Sequence, residues 1–135
     1  MSATCLFCKI VKGTIPSRKI IETEKTLAFL DIEPLAKGHA LVIPKEHAEF
    51  FHQLSDESLS DLLPTAKKVA LALGAPNYNL LQNNGQLAHQ VVPHVHFHII
   101  PKPDTVQGLG ISWPVQKFGE QEFEETLKDI RAKLS

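Results

Sequence analysis

Short apolar runs separated by turn residues fill the first third of the chain. A helix is predicted over residues 4–12, with Thr4 as its N-cap and Gly13 at its end. Three strand patterns follow, over residues 19–22, 26–30 and 39–44. The first two flank a charged turn, which is typical of a hairpin, and residues 34–38 form a loop.

The middle of the chain predicts one amphipathic helix. Ser55 is a good N-cap, and the acidic Asp56 and Glu57 suit the first turn because of the helix dipole. Apolar residues then recur at helical spacing until Gly74. Pro64 lies inside this pattern and is expected to kink or divide the helix.

The last part mixes strands with a helical tail. Strands are predicted over 78–82 and 92–101, with a turn at 83–85, an irregular segment over 107–118 and a charged helix over 121–134. No βαβ repeat is present, so the pattern favours an α+β fold with a mainly antiparallel sheet and flanking helices. We expect one domain over residues 1–135, with a helical tail over about 119–134.

Composition narrows the function classes. The net charge of −1 gives no basis for electrostatic capture of nucleic acid or of an anionic membrane. No stretch of 18 apolar residues predicts a membrane span, and no signal peptide is visible at the N-terminus. Two cysteines are too few for a disulfide scaffold. We therefore expect a reducing compartment, the cytoplasm first and the nucleus second.

Three of the seven histidines alternate along one predicted strand. Residues two apart on a strand share a face, so His94, His96 and His98 should line one face while Val95 and its apolar partners enter the core. Histidine near neutral pH acts as a nucleophile, a proton donor or a metal ligand. The alternative is an exposed polar face, which strict alternation of three imidazoles disfavours.

A polar loop directly precedes this strand. Asn83 and Gln90 carry amide donors, and Gly85 permits a tight turn. Backbone N–H groups in such a loop can hold a phosphate. Asn-Gly more often marks only a turn, so this signal is weak by itself.

Together these segments resemble the histidine triad (HIT) family of nucleotide-binding proteins. The run His94-Val-His-Phe-His-Ile-Ile100 matches the family signature, and four further blocks match in order, at 5–10, 28–34, 38–44 and 83–90. The Hint branch, and its fungal adenosine 5′-monophosphoramidases, are the most similar. The resemblance implies a HIT fold, a homodimer with its sheets joined across the interface, and hydrolysis of AMP linked through nitrogen to amines or lysine.

The resemblance also implies roles for single residues. His96 would be the nucleophile that becomes adenylylated, and His98 would contact phosphate and help to protonate the leaving amine. His39 would be a fourth catalytic histidine beside the nucleophile, and Asp31 would accept from both ribose hydroxyls. The remaining nucleotide-binding positions would be an apolar adenine slot and a phosphate loop, formed by Ile15, Phe29, Ile32, Leu41, Asn83, Gln90 and Val91.

The chain departs from the family pattern in three places. Val91 stands where close relatives have Ser or Thr, so only its backbone N–H remains for phosphate. His89 stands where glycine is common. Trp113-Pro114 resembles a pair that reaches the partner's active site in this branch, but lies farther beyond the triad here, and Trp113 alone would suit an interface anchor.

A structural zinc site is a further expectation. Cys5, Cys8, His47 and His94 match the ligands of zinc-binding relatives, and two thiolates with two imidazoles are a standard tetrahedral set. The alternatives are a redox pair or inert thiols for the cysteines, and a surface position for His47.

Other interpretations remain open at this point. Asp31 alone is typical of a turn, the slot residues are typical of core, and His39 would suit a buried hydrogen-bonded position. The chain would instead be a purine-nucleotide-binding regulatory module with little turnover and with regulatory protein partners, or a Fhit-like diadenosine polyphosphate hydrolase. The complete histidine set favours an enzyme, because a pure binder needs no nucleophile.

Overall fold

A computed structural model describes residues 3–134 as a five-stranded antiparallel sheet with helices on both faces. The strands lie in the order β1-β2-β3-β5-β4, so β1 and β4 are the edges. The strands are β1 Lys19–Glu22, β2 Thr26–Leu30, β3 Ala40–Pro44, β4 Tyr78–Gln82 and β5 Phe97–Pro101. The α-helices are α1 Leu6–Lys12, α2 Asp56–Leu73 and α3 Glu120–Leu134, and single 3₁₀ turns lie at Phe51–Gln53 and Gln86–Ala88. None of these helices is both long and apolar enough to cross a membrane.

Strand alternation divides the apolar residues between two cores. Helix α2 covers one face of the sheet and buries Leu62, Ala66 and Val69. They form one cluster with strand residues that include Ala28, Val42, Val95, Phe97 and Ile99. The prediction that Val95, Phe97 and Ile99 enter the core opposite the histidines is therefore confirmed.

The opposite face of the sheet carries the short helix α1. Phe7 and Ile10 of this helix pack with Leu27, Phe29 and Leu41. Because side chains on this face alternate with those of the α2 core, His98 of β5 lies on the α1 face. Phe7 contacts the rings of both His94 and His96, which brings the first two triad histidines to the same side.

The predicted N-cap of α1 is wrong by one residue. The helix begins at Leu6, and its N-cap is Cys5 rather than Thr4. Cys5 has an extended backbone, and its sulfur accepts from the Cys8 N–H at 3.4 Å. The thiol therefore takes the place that a hydroxyl cap usually fills.

Pro64 does not divide α2, contrary to one of the two expected outcomes. The helix runs without interruption from Asp56 to Leu73, with Ser55 as its N-cap and Gly74 at its end as predicted. Pro64 itself is exposed. The buried apolar side of α2 continues on both sides of the proline, and such packing supplies most of the stability of a helix in a protein.

The last strand is shorter than predicted. Residues 92–96 precede β5, which begins at Phe97 opposite Gln82, the last residue of β4. Because β4 ends at Gln82, residues before Phe97 have no partner in β4. The chain instead turns at His94, whose N–H donates to the Val92 carbonyl at 2.9 Å, and Val95 N–H bonds to Ala48 O at 2.8 Å. His94 and His96 therefore lie in the approach to the strand, and only His98 lies in it.

The tail is helical as predicted, and all of its described residues are exposed. Phe123 contacts the segment before the helix, where the ring of Phe118 lies edge-on to it at 6.2 Å between centroids. The apolar residues of α3 recur at helical spacing and are all exposed: Phe123, Leu127, Ile130 and Leu134. Trp113, in the irregular segment before the helix, is 79% exposed.

Candidate active site

His96 lies at the centre of the site with one ring nitrogen held by the backbone. Its Nδ1 is 2.6 Å from the carbonyl oxygen of His94. Because a carbonyl can only accept, the proton must lie on Nδ1, and Nε2 keeps its lone pair. Burial lowers the pKa of His96, which favours this neutral form. The geometry therefore prepares Nε2 of His96 as a nucleophile.

His98 lies beside His96 and is more open to solvent. The two ring centroids are 4.9 Å apart. On β5, His98 pairs with Leu41 of β3 on one side and with Leu81 of β4 on the other. Burial lowers the pKa of His98 to about 4, and the nearby His96 and His39 add to this shift. His98 is consequently neutral at physiological pH in the absence of ligand.

His39 and Asp31 complete the polar group from the two ends of the β2–β3 connection. His39 Nε2 is 2.9 Å from His98 Nδ1 and 3.4 Å from Asp31 Oδ2. Burial lowers the pKa of His39, while the Asp31 carboxylate acts in the opposite direction. His39 therefore lies between Asp31 and His98, and its shorter contact is with His98. The ring of His98 in turn contacts His96.

The predicted phosphate loop is braced by its own side chains. Gln90 is buried; its oxygen accepts from Gly85 N–H at 2.7 Å, and its amide donates to the carbonyls of Glu49 and Val92. Asn83 donates to the His89 carbonyl at 3.3 Å. Gln90 therefore shapes the loop, and its role as a phosphate donor stays a prediction.

His89 has a backbone conformation that favours glycine. Its φ is +70°, in the left-handed region that residues with a side chain rarely adopt. The chain turns there between the 3₁₀ turn and Gln90. Val91 follows and is 78% exposed, so its backbone is accessible from solvent.

The residues predicted for the adenine slot fall into two groups. Phe29 and Leu41 are buried in the α1-face core, and Ile15 packs against them. Ile32 is 81% exposed and lies just after Asp31. The structure therefore brings Ile15, Phe29 and Leu41 together in one apolar wall. It leaves Ile32 exposed in the loop after β2.

Four potential metal ligands converge beneath His96. Sulfur–nitrogen distances are 3.3 Å for Cys8–His47, 3.4 Å for Cys5–His94 and 3.6 Å for Cys8–His94, and the two Nδ1 atoms are 3.2 Å apart. Zn–N bonds of about 2.0 Å and Zn–S bonds of about 2.3 Å place tetrahedral ligands roughly 3.3–3.8 Å apart. His94 Nε2 donates to Pro44 O at 2.8 Å, which leaves its Nδ1 lone pair facing the sulfurs. This Cys/His group therefore has the chemistry and spacing of a metal site.

Comparison with known protein families shows which family this chain belongs to. Residues 12–105 match the HIT domain. The chain belongs to the HIT domain family. The match includes the three triad histidines, His39 and Asp31, while the two cysteines lie before it.

Curated HIT relatives extend the similarity to nearly the whole chain. Adenosine 5′-monophosphoramidase hnt1 of Schizosaccharomyces pombe is 58% identical over 131 residues, which are 97% of this chain and 98% of the relative. Adenosine 5′-monophosphoramidase HNT1 of Saccharomyces cerevisiae is 51% identical and covers 99% of this chain and 85% of the relative.

Solved HIT structures share the fold. A histidine triad nucleotide-binding protein from Candida albicans superimposes with a TM-score of 0.89 at 49% identity, over 98% of this chain and 100% of that chain. A hypothetical protein from Leishmania major gives a TM-score of 0.92 at 51% identity, over 99% and 98%. The predicted α+β HIT fold is confirmed.

Two further groups contribute to this HIT site, and the sequence patterns predicted neither of them. Phe7 packs edge-on against the rings of His94 and His96, at 5.9 and 5.0 Å between centroids. Its position between the two cysteines on a short helix was a usable signal. The second is the backbone N–H of Leu35, which donates to His39 Nδ1 at 3.0 Å. No pattern of side chains predicts a backbone donor, because every residue except proline carries one.

Proposed function

We propose that this protein is a purine nucleoside phosphoramidase that hydrolyses the P–N bond of AMP linked to amines. One observation carries the proposal: His96 Nδ1–H donates to the His94 carbonyl at 2.6 Å, and Nε2 is thereby a lone-pair nucleophile next to a second histidine. The names of the fungal relatives support the choice of substrate.

The reaction would proceed in two steps. The lone pair of His96 Nε2 attacks phosphorus, the P–N bond to the leaving group breaks, and its electron pair departs with the amine, which takes up one proton that solvent water supplies. Water then attacks the adenylylated His96, the electron pair of the new P–N bond returns to Nε2, AMP leaves, and the proton that the attacking water loses returns to solvent. One proton is taken up and one is released, so the site is unchanged after a turnover. His98 is the group placed to pass each proton between the solvent and the reacting group.

The nucleotide would lie between Asp31 and the apolar wall. Asp31 Oδ1 accepts from Glu33 N–H at 2.8 Å, which holds the carboxylate at the mouth of the site. A carboxylate accepts from two hydroxyls at once, so it suits the ribose. Adenine would pack on Ile15, Ile32 and the surface of Phe29 and Leu41, where contact is apolar and discriminates weakly among purines. Asn83, Gln90 and the backbone of Val91 would face the phosphate.

We also propose that the Cys/His group holds a structural zinc ion. Cys5, Cys8, His47 and His94 would close the coordination shell, so the ion would have no open position for substrate or water. Bound zinc would supply stability by joining α1 to the approach of β5. His94 would then be fixed through its ring while its carbonyl holds His96.

A homodimer is the proposed assembly, joined at the β4 edge. A groove of about 590 Å³ between α2 and β4 is lined mainly by apolar residues, including Leu63, Ala66, Ala70, Leu71, Tyr78 and Leu80. The other edge strand, β1, carries a register shift between Lys19 and Ile21, and such irregularity discourages pairing. Leu80→Arg should therefore produce monomers in analytical ultracentrifugation. Ile20→Arg, a matched change on β1, should leave the dimer intact.

The function is tested by comparing two substrates. The protein should release AMP from adenosine 5′-phosphoramidate much faster than it cleaves diadenosine triphosphate. An acid-labile AMP adduct on His96 should accumulate after rapid quenching and be located by mass spectrometry. Tight AMP binding without turnover would contradict the enzyme and favour a binding module, and preference for the dinucleotide would favour the Fhit-like alternative. We further propose that it works in the cytoplasm and nucleus, which imaging of the tagged full chain would test.

A further inference from the structure

Asp31, His39 and His98 form a second polar cluster whose purpose the two-step reaction leaves open. Their side-chain ligand atoms all lie within 4.8 Å of one another. Two histidines and a carboxylate at this spacing suit either a divalent metal ion or a directed chain of hydrogen bonds. The protons on His39 distinguish the two.

The backbone N–H of Leu35 decides where His39 carries its proton. This N–H donates to His39 Nδ1 at 3.0 Å, so Nδ1 must present a lone pair. Neutral His39 therefore carries its proton on Nε2. Burial opposes a second proton on this ring, since His39 is only 3% exposed.

The Nε2–H of His39 points to His98. His98 Nδ1 lies at 2.9 Å and Asp31 Oδ2 at 3.4 Å, so the imidazole nitrogen is the nearer acceptor. A metal ion on His39 Nε2 would displace this proton to Nδ1, where it would meet the Leu35 N–H. The cluster is thus a hydrogen-bond chain rather than a metal site.

The direction of the hydrogen-bond chain from His39 sets the tautomer of His98. Because His98 Nδ1 accepts from His39, the proton of neutral His98 must lie on Nε2. Within residues 3–134, no protein group accepts from His98 Nε2. This N–H is consequently available to a ligand in the site.

We propose that His39 is a positioning residue that holds His98 in its Nε2–H tautomer, so that His98 donates a hydrogen bond to the phosphoryl group or leaving nitrogen of the substrate. The inference rests on the proposed phosphoramidase function. It differs from a direct catalytic role, because His39 acts only through His98.

The loop over residues 31–39 is built to hold His39 in place. Asp31 N–H donates to the His39 carbonyl at 3.0 Å, and His39 N–H donates to the Ala36 carbonyl at 3.1 Å. With the Leu35 N–H, three backbone hydrogen bonds fix this one residue. The orientation of the His98 proton is therefore set by the backbone of a loop that contains no triad residue.

Two substitutions of His39 distinguish the roles of its two ring nitrogens. His39→Gln keeps an amide donor at the position of Nε2, whereas His39→Asn keeps an acceptor near Nδ1 but cannot reach His98. His52→Asn is the matched control, because His52 is an exposed histidine outside the site. All variants are first compared by thermal melting.

The tautomer is read directly by ¹⁵N NMR of the histidine-labelled full-length protein without substrate. His98 should be protonated at Nε2 in the wild type, in His39→Gln and in His52→Asn. In His39→Asn it should shift toward the Nδ1–H form. An Nδ1–H tautomer in the wild type, or an unchanged tautomer in His39→Asn, would overturn the proposal.

Kinetics test the consequence for catalysis. His39→Asn should lower kcat on adenosine 5′-phosphoramidate at least about tenfold, but by less than loss of the donor itself, which supplies roughly 10²- to 10⁴-fold, while AMP affinity changes little. His39→Gln should recover most of the loss. Equal losses in both variants would contradict positioning by a donor. If the wild type hydrolyses no phosphoramidate, the proposed function fails while the NMR result still decides the tautomer.

Discussion

Two histidine clusters lie side by side in this protein and differ in what their ring nitrogens meet. His94 donates from Nε2 to the Pro44 carbonyl and turns Nδ1 toward two sulfurs and His47. His96, two residues later, donates from Nδ1 to a carbonyl and leaves Nε2 without that proton. The same side chain is thus prepared as a metal ligand in one position and as a nucleophile in the next. The lesson is that the hydrogen bond on one nitrogen decides the chemistry of the other.

The two clusters also differ in access. The Cys/His group is mostly buried: Cys5, Cys8 and His94 are buried, and His47 lies on its solvent-accessible side. His98 in the second cluster is partly exposed, and Ile32 and Val91, both predicted to bind the nucleotide, are exposed to solvent. A buried metal site would stabilise the fold, whereas a histidine that solvent reaches can also contact a substrate. Substitutions on either side should therefore separate stability from activity.

Loss of the nucleophile should give the largest effect. His96→Ala removes the attacking lone pair, so turnover of adenosine 5′-phosphoramidate should fall by roughly 10³-fold or more. AMP binding, measured by calorimetry, should remain because the ribose and base contacts are untouched. Near wild-type turnover in this variant would refute covalent catalysis by His96.

Loss of the second histidine should depend on the leaving group. His98→Ala should slow alkylamine substrates by about 10²- to 10⁴-fold and substrates with good leaving groups much less, because proton donation matters most where the leaving group is basic. A series of adenosine phosphoramidates of graded amine basicity measures this slope. A uniform loss across the series would assign His98 to phosphate binding alone.

The carboxylate of Asp31 should control the choice of sugar. The wild type should prefer ribose over 2′-deoxyribose substrates, because a site that pairs with hydroxyls rejects analogues without them. Asp31→Ala should lower kcat/KM for the ribose substrate by roughly tenfold or more and narrow the preference. If the wild type treats both sugars alike, Asp31 is not a ribose ligand.

Breaking the Cys/His group should affect stability before activity. Cys5→Ala should lower the zinc content from near one per chain and reduce Tm by about 5 °C or more. Activity should change far less than in His96→Ala. A chelator should reproduce the loss of Tm in the wild type and have little further effect on the variant. A metal-free wild type of undiminished Tm would contradict the structural zinc.

The smallest expected effect is a change in the pH dependence of stability. The pKa of His98 is lowered from 6.5 to about 4 in the folded protein, chiefly by burial. Between these values the unfolded chain binds more protons, so stability falls as the pH decreases through this window. His98→Asn should reduce the loss of Tm between pH 7 and pH 5 by a few degrees. His52→Asn, the exposed control, should keep the wild-type slope.

Local patterns predicted most of the secondary structure because the signals lie close in sequence. Short apolar runs beside turn residues predicted β1, β2 and β4, and the Ser55 cap with Gly74 bounded α2. The failures also have local causes that only packing reveals. Cys5 replaced Thr4 as a cap because its sulfur meets the Cys8 N–H, and β5 began at Phe97 because β4 ends at Gln82.

The sequence by itself determined which residues carry chemistry and which face of the sheet they share. Alternation of His94, His96 and His98 with Val95, Phe97 and Ile99 requires opposite sides of one strand and its approach. The matched blocks likewise indicate the family from residue type and order alone. These are properties of residue type and spacing, which the chain order contains.

Only the tertiary structure decided which nitrogen of each imidazole is available. That choice depends on partners that fold and loop geometry bring to each ring: the distant Pro44 for His94, the distant His39 for His98, and the N–H of Leu35, four residues earlier in the same loop, for His39. Two of the three partner groups are backbone atoms, which every residue carries and no motif marks. Spacing can therefore bring histidines to one site, but the positions of their protons follow from hydrogen bonds of the folded chain, and for His94 and His98 these bonds join segments that are distant in sequence.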